Sequence, residues 1–313
     1  MIKNIAFVFP GQGSQEVGMG QALVETHPAA RQIFEQADDI LGFSLSQLCF
    51  EGPDEELNDT FNTQPAIFVT SIAAVESLRA QGYDVVPQYV AGHSLGEFTA
   101  YVAAGVMSFS DGLRLVRERG RLMKKAGEIN PGSMAAIIKL DDDTVANICA
   151  QVTAAGYGIL TLANYNSPGQ VVISGNTPAV DRGIELAQAA GARRALKLPI
   201  SIASHSELMS VITPEFGEAV SQTTLNLPEI PIVANITARP LDATLEAIRV
   251  EMTGQLTSSV RWTDSVHWMI EQGITEFVEI GPKNVLTGLI GRTAKDVITR
   301  NVGTPADIEA LVS

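Results

Sequence analysis

Gly92-His93-Ser94-Leu95-Gly96 is the stretch that most restricts how this chain can fold. Tyr89, Val90 and Ala91 before it are apolar and extended in character, and Phe98 through Val106 after it is alanine-rich and helix-compatible. A Gly-x-Ser-x-Gly sequence between a strand and a helix reads as a tight elbow that lifts the serine out of the sheet, with its hydroxyl exposed above a helix N-terminus. Both glycines are needed because the turn is tight and neighbouring backbone comes close. On this reading Ser94 is a nucleophile that forms a covalent acyl-serine. A plainer reading competes with it: Ser94 and Glu97 also spell a capping box, in which the serine is only a helix N-cap.

The 313 residues allow one large α/β domain, or a large domain with a smaller one inserted, and the 45% hydrophobic content supplies a substantial core. No run of 18 apolar residues occurs, so no membrane span is expected. Met1 to Pro10 reads as a short apolar strand without the long apolar core and small-residue cleavage site of a signal peptide. Cys49 and Cys149 stand in apolar surroundings, which fits buried free thiols in a cytoplasmic protein. With two cysteines and four histidines widely spaced, no metal site is expected. The net charge of −14 argues against nucleic acid as a partner. An acidic protein partner would need a local basic patch, and two are available: Arg114, Arg117, Arg121, Lys124 and Lys125, or Arg193, Arg194 and Lys197. Each reads equally well as a solvated face.

The outer thirds alternate strand and helix. Strands are expected at Ile5–Phe9, Tyr89–Ala91, Ile232–Ile236 and Phe277–Ile280. Helices are expected near 29–41, 64–81, 95–104, 110–126, 207–220, 245–256, 263–272 and from Asn284. This order favours a largely parallel sheet covered on both faces. The middle runs strand 134–140, helix 143–155, strands 159–164 and 170–174, helix 179–190 and strand 195–200. That βαββαβ order is ferredoxin-like. The chain therefore divides into a large subdomain, 1–130 with 200–313, and a small inserted one, 131–199.

A serine hydroxyl needs a base. His205 is the best placed, after the apolar run Leu198–Ile202, at the strand end where active sites of parallel sheets lie. Ser204 and Glu207 around it spell a second capping box, so a histidine held at a helix start is the competing account. The side chain of His93 should point away from Ser94. The aspartates between Ser94 and His205, namely Asp141, Asp142, Asp143 and Asp181, fall in the small subdomain, so a full triad is not visible. A dyad whose histidine is oriented by a carbonyl or an amide fits better. An oxyanion hole would use the N–H of Leu95 and the Gly11-Gln12-Gly13 turn. Arg119 falls on the apolar stripe of its helix with Leu115, Val116, Leu122, Met123 and Ala126. An inward guanidinium must be paired, either by a protein carboxylate such as Glu97 or by a carboxylate of the substrate.

Taken together, Phe9-Pro10-Gly11-Gln12-Gly13-Ser14-Gln15, Thr63-Gln64-Pro65-Ala66, Gly92-His93-Ser94-Leu95-Gly96-Glu97, Arg119-Gly120, Asn166-Ser167-Pro168-Gly169-Gln170, Ser204-His205 and Glu279-Ile280-Gly281-Pro282 resemble the malonyl-CoA–acyl carrier protein transacylases of bacterial fatty acid synthesis. The resemblance runs in the family's order along almost the whole chain. It implies an α/β fold: an α/β-hydrolase-like large subdomain with a mostly parallel sheet, plus an inserted ferredoxin-like small one. It implies ping-pong transfer from malonyl-CoA to acyl carrier protein with no cofactor, coenzyme A thioester being the substrate. By resemblance Ser94 is the nucleophile and His205 the base. Arg119 holds the malonyl carboxylate, and Gln12 with the N–H of Leu95 forms the oxyanion hole. Gln64 supports the site, the backbone carbonyl of Gln255 orients the histidine, and Asn164 and Asn166 border the cleft. Ser258-Ser259 stand where the family often has a proline, which bears on Gln255. Rival readings are a stand-alone polyketide-pathway acyltransferase, a thioesterase on the same elbow, and a non-catalytic carrier-docking module.

Overall fold

The computed structural model describes residues 4–313, so Met1–Lys3 of the first apolar stretch lie outside the described residues. The strands are β1 (Ile5–Phe9), β2 (Tyr89–Gly92), β3 (Gly132–Ile138), β4 (Leu160–Ser167), β5 (Gln170–Asn176), β6 (Arg194–Lys197), β7 (Ile232–Val233), β8 (Glu276–Ile280) and β9 (Ile298–Val302). They form two sheets, in the orders β7-β2-β1-β8-β9 and β4-β5-β3-β6.

Every pairing in the first sheet is parallel. Its strands alternate between two cores, as period-2 side chains must. Ile5, Phe9, Val90, Val278 and Ile280 join the cluster on one face, where the helices Thr60–Ala80 and Phe109–Ile129 pack. Ala6, Val8, Ala91 and Phe277 join the other, with Trp262, Val266 and Met269 of the helix Trp262–Glu271 and Leu286, Leu289 and Ile290 of the helix Val285–Thr293. Thr60–Ala80 is buried along nearly its whole length, which is why its sequence is apolar on all sides rather than striped.

The second sheet is antiparallel, with the crossovers Asp142–Ala154 and Thr177–Ala189 packed on one face over their own core. Its strand order is that of a ferredoxin-like βαββαβ unit. The opposite face carries Met134, Ala163 and Val172 with Leu198 and Ile200, and it looks towards the elbow. β4 is tied to the large subdomain at Val260: Tyr165 donates to the Val260 carbonyl at 2.9 Å and Val260 donates to that of Ala163 at 2.8 Å. No helix of the described residues is long and apolar enough to cross a membrane.

Several elements differ from expectation. β6 stops at Lys197, because Pro199 has no N–H to continue a ladder, and residues 198–206 become a loop. The expected helix 207–220 is a 3₁₀ stretch, Glu207–Ile212, followed by a separate helix, Thr213–Gln222, with Pro214 in its first turn. β9, the short helices Gln21–Thr26, Leu45–Glu51 and Asp54–Leu57, and the terminal helix Pro305–Val312 have no sequence-based counterpart. β9 reads Ile-Thr-Arg-Asn-Val, too polar to stand out as a strand, because it lies at the edge of its sheet.

Candidate active site

Ser94 sits between the end of β2 and the helix Leu95–Ala103, at φ 52. A non-glycine residue held there is strained, and the surroundings must over-determine it. They do so at close range. A Cβ on Gly92 would land on the backbone of Gly96, and one on Gly96 on the Phe9 carbonyl. Asn235, just beyond β7, clamps the turn: its Oδ1 accepts from the Ser94 N–H at 2.8 Å and its Nδ2 donates to the Gly92 carbonyl at 2.7 Å. The capping-box reading fails, since the Ser94 side chain caps nothing and the Glu97 carboxyl accepts instead from Asn235 N–H at 2.9 Å and from Gln255 Nε2.

Ser94 Oγ lies 2.8 Å from His205 Nε2. His205 Nδ1 lies 2.9 Å from the Gln255 carbonyl and 3.1 Å from that of Ser258. Carbonyl oxygens only accept, so Nδ1 carries the proton and Nε2 is the free base facing the hydroxyl. Two backbone carbonyls thus stand where a triad would place a carboxylate. His205 is not at a strand end of the parallel sheet. It sits at φ 57 in the loop after β6, and no side-chain cap forms at the start of the following 3₁₀ turn. Burial, and then the nearby Arg119 charge, lower its pKa to about 3, so the imidazole is neutral and able to accept a proton.

Arg119 is only 1% exposed. Its Nη1 donates to Gln64 Oε1 at 2.9 Å, and its Nη2 to Gln255 Oε1 at 2.7 Å and to Ser94 Oγ at 3.2 Å. Gln64 is held in turn by its Nε2 contact with Met123 Sδ at 3.0 Å. Burial lowers the guanidinium pKa to about 10, with Glu97 opposing the shift, so the group stays charged. Among the described residues no carboxylate pairs with it: Glu97 is held off by the intervening Gln255 amide. Of the two partners expected for this guanidinium, the internal one is therefore excluded.

Ser94, His205 and Arg119 line a cavity of about 100 Å³, with Gln12 and Leu95 beside them and Met134, Asn164, Leu198 and Ile200 from the small subdomain side. It has room for a short acyl group. Leu95 opens its helix, so its N–H is among those left without an intrahelical acceptor. Gln12 borders the same space and its Nε2 donates to Thr60 Oγ1 at 3.1 Å. A larger apolar cavity of about 470 Å³, around Phe7, Leu78, Tyr83 and Val90, includes none of these groups.

A family model described as an acyl transferase domain matches residues 6–308. The malonyl CoA-acyl carrier protein transacylase of Bacillus subtilis is 41% identical over 99% of this chain and 97% of its own length. That of Escherichia coli is 42% identical over 98% of each. The chain belongs to the malonyl-CoA–acyl carrier protein transacylase family. A solved structure of a malonyl-transacylase in complex with its type II PKS acyl-carrier protein superposes with a TM-score of 0.93 at 40% identity, covering 98% of both chains.

In this transacylase-family chain, Ser94, His205, Arg119, Gln12 and Leu95 converge on one space, and Gln64 and Gln255 hold Arg119 and His205 from behind it. Asn164 borders it from β4, and Asn166 Oδ1 lies 2.7 Å from His93 Nε2. His93 does turn from the serine, yet it lines the same cavity and links the elbow to the small sheet. Sequence reasoning missed that contact, and it missed Asn235 and Glu251. Asn235 follows a strand of the parallel sheet, a position that could have flagged it. Glu251 shares an inward stripe with Ile248 and Met252, the same signal that singled out Arg119.

Proposed function

We propose that this chain moves a malonyl group from malonyl-CoA to the pantetheine thiol of an acyl carrier protein through a malonyl-Ser94 intermediate. The reading rests most on the Arg119 guanidinium, buried beside the serine with no carboxylate of the described residues on it. A malonyl carboxylate supplies that missing partner in two-point contact. Ser94 Oγ gives its proton to His205 Nε2 and attacks the thioester carbonyl carbon. The oxyanion forms against the Leu95 N–H and the Gln12 turn. The C–S bond breaks, and the imidazolium protonates the departing CoA thiolate. The carrier's thiol then enters, loses its proton to His205 and takes the malonyl group, and Ser94 recovers its proton. No cofactor enters, since the thioester brings its own activation. The activity in its relatives' names supports this reading. We assign the reaction to malonyl supply for fatty acid synthesis.

Intact-protein mass spectrometry after brief mixing with malonyl-CoA tests it. The wild type should gain one malonyl group, Ser94→Ala none, and added carrier protein should discharge the adduct. Discharge by water alone at a comparable rate would make the protein a thioesterase.

A further inference from the structure

The reaction leaves unused two buried carboxyl groups directly behind the site. Glu97, on the helix Leu95–Ala103, is fully buried, and Glu251, on the helix Leu245–Gly254, is 4% exposed. They accept from the successive backbone N–H groups of Asn235 and Ile236, which sets the two carboxyls side by side. Two carboxyls so placed cannot both ionise in a dry site. Burial, the leading cause, raises the pKa of each, that of Glu251 to about 7.

Three oxygens of the pair have donors. Glu251 accepts from the Ile236 N–H at 2.9 Å, and Glu97 accepts from the Asn235 N–H at 2.9 Å and from Gln255 Nε2. Both partners of Glu97 lead to the reacting groups. Asn235 clamps the Ser94 elbow. Gln255 Nε2 also donates to the Ser94 carbonyl at 3.0 Å, its Oε1 accepts from Arg119, and its backbone carbonyl accepts from His205. The orientation of the Gln255 amide is the weak point of this chain. Turned over, it would aim an N–H₂ at the guanidinium and remove an acceptor from Arg119. An acceptor-only carboxylate oxygen at 97 forbids that turn.

We propose that Glu97, held by the Asn235 N–H, is a positioning residue that sets the Gln255 amide and thereby the seat of Arg119 for an acyl carboxylate. The proposal rests on the malonyl-transfer reading. In Glu97→Gln one acceptor oxygen faces two donors. The Asn235 backbone N–H cannot turn away and keeps it. The Gln255 amide can turn, and Arg119 loses its acceptor. In Glu251→Gln, Oε1 still accepts from Ile236 and Glu97 keeps its Asn235 and Gln255 donors, so the arrangement survives.

Single-turnover acylation by malonyl-CoA and by acetyl-CoA, followed by intact mass, tests this. Glu97→Gln should slow malonylation tenfold or more and acetylation far less, so the malonyl-to-acetyl ratio falls. Glu251→Gln should keep that ratio within about threefold of wild type. Equal slowing of both donors in Glu97→Gln, or an unchanged ratio, would overturn the proposal. If Glu97→Gln does not fold, a collapsed ratio in Glu251→Gln overturns it and a retained ratio supports it. A wild type that forms no malonyl adduct sinks the functional reading instead, so the two failures are distinguishable.

Discussion

With Nη1 on Gln64 and Nη2 on Gln255 and Ser94, Arg119 is aimed by amides rather than neutralised by an acid, so its charge is left for the substrate. Replacing it with alanine should cut acylation by malonyl-CoA by about 100-fold or more, since breaking a buried charge pair costs about 3–5 kcal/mol. Acetyl-CoA has no carboxylate to lose and should gain in relative use. A malonyl preference that survives Arg119→Ala would remove the arginine from its role. The same guanidinium also helps to hold the His205 pKa down to about 3. A malonyl carboxylate on Arg119 offsets that charge and strengthens the base when substrate is bound. Acylation should therefore show no histidine step as pH falls from about 7 to 5, and a half-loss near the ordinary histidine value, about 6.5, would contradict the burial of His205. Stability follows the same group. Below about pH 6.5 the unfolded chain takes up a proton that the folded chain refuses, so this contribution is present above that pH and is lost as pH falls towards 3.

At the scale of elements, the elbow works because the helix Leu95–Ala103 lies directly against β1 and β2. Gly96 faces the Phe9 carbonyl and Gly92 faces Gly96, with no space for a methyl group. Gly96→Ala should cost about 1–3 kcal/mol in urea unfolding, the usual range for overpacking. Because the displaced helix carries Ser94 and the Leu95 N–H, acylation should slow as well. Full stability with full activity would mean that the contact can yield. Glu279, part of a motif named from the sequence, proves to be a structural element of this kind. Its carboxylate accepts from the Leu286 N–H at 2.9 Å and the Thr287 N–H at 2.7 Å, holding the start of the helix Val285–Thr293.

For the molecule as a whole, the two basic patches separate. In the first, Arg121 and Lys125 pair with Glu215, Lys124 pairs with Asp59, and Arg117 donates to the Phe61 carbonyl. In the second, Lys197 pairs with Asp181, while Arg193 and Arg194 are exposed and make no ion pair among the described residues. Against a net charge of −14, these two arginines, at the start of β6, are where an acidic carrier should gain most. Replacing both with alanine should raise the KM for carrier protein several-fold, at about 0.2–1 kcal/mol per exposed charge, and leave acylation by malonyl-CoA intact. A KM unmoved by the substitutions or by salt would discard the patch. The sequence determined the elements whose signal is local: the elbow, from its glycines between strand and helix; the βαββαβ insertion, from its periodicity; and the inward Arg119, from its place on an apolar stripe. Tertiary structure decided what depends on groups far apart in the chain. It replaced a triad acid with the carbonyls of Gln255 and Ser258, set Asn235 under the elbow, and gave Glu97 to Asn235 and Gln255 rather than to Arg119. Hydrogen-bond partners more than a hundred residues apart leave no spacing to read, and an acid's partner is chosen by which buried donors the packing brings within reach.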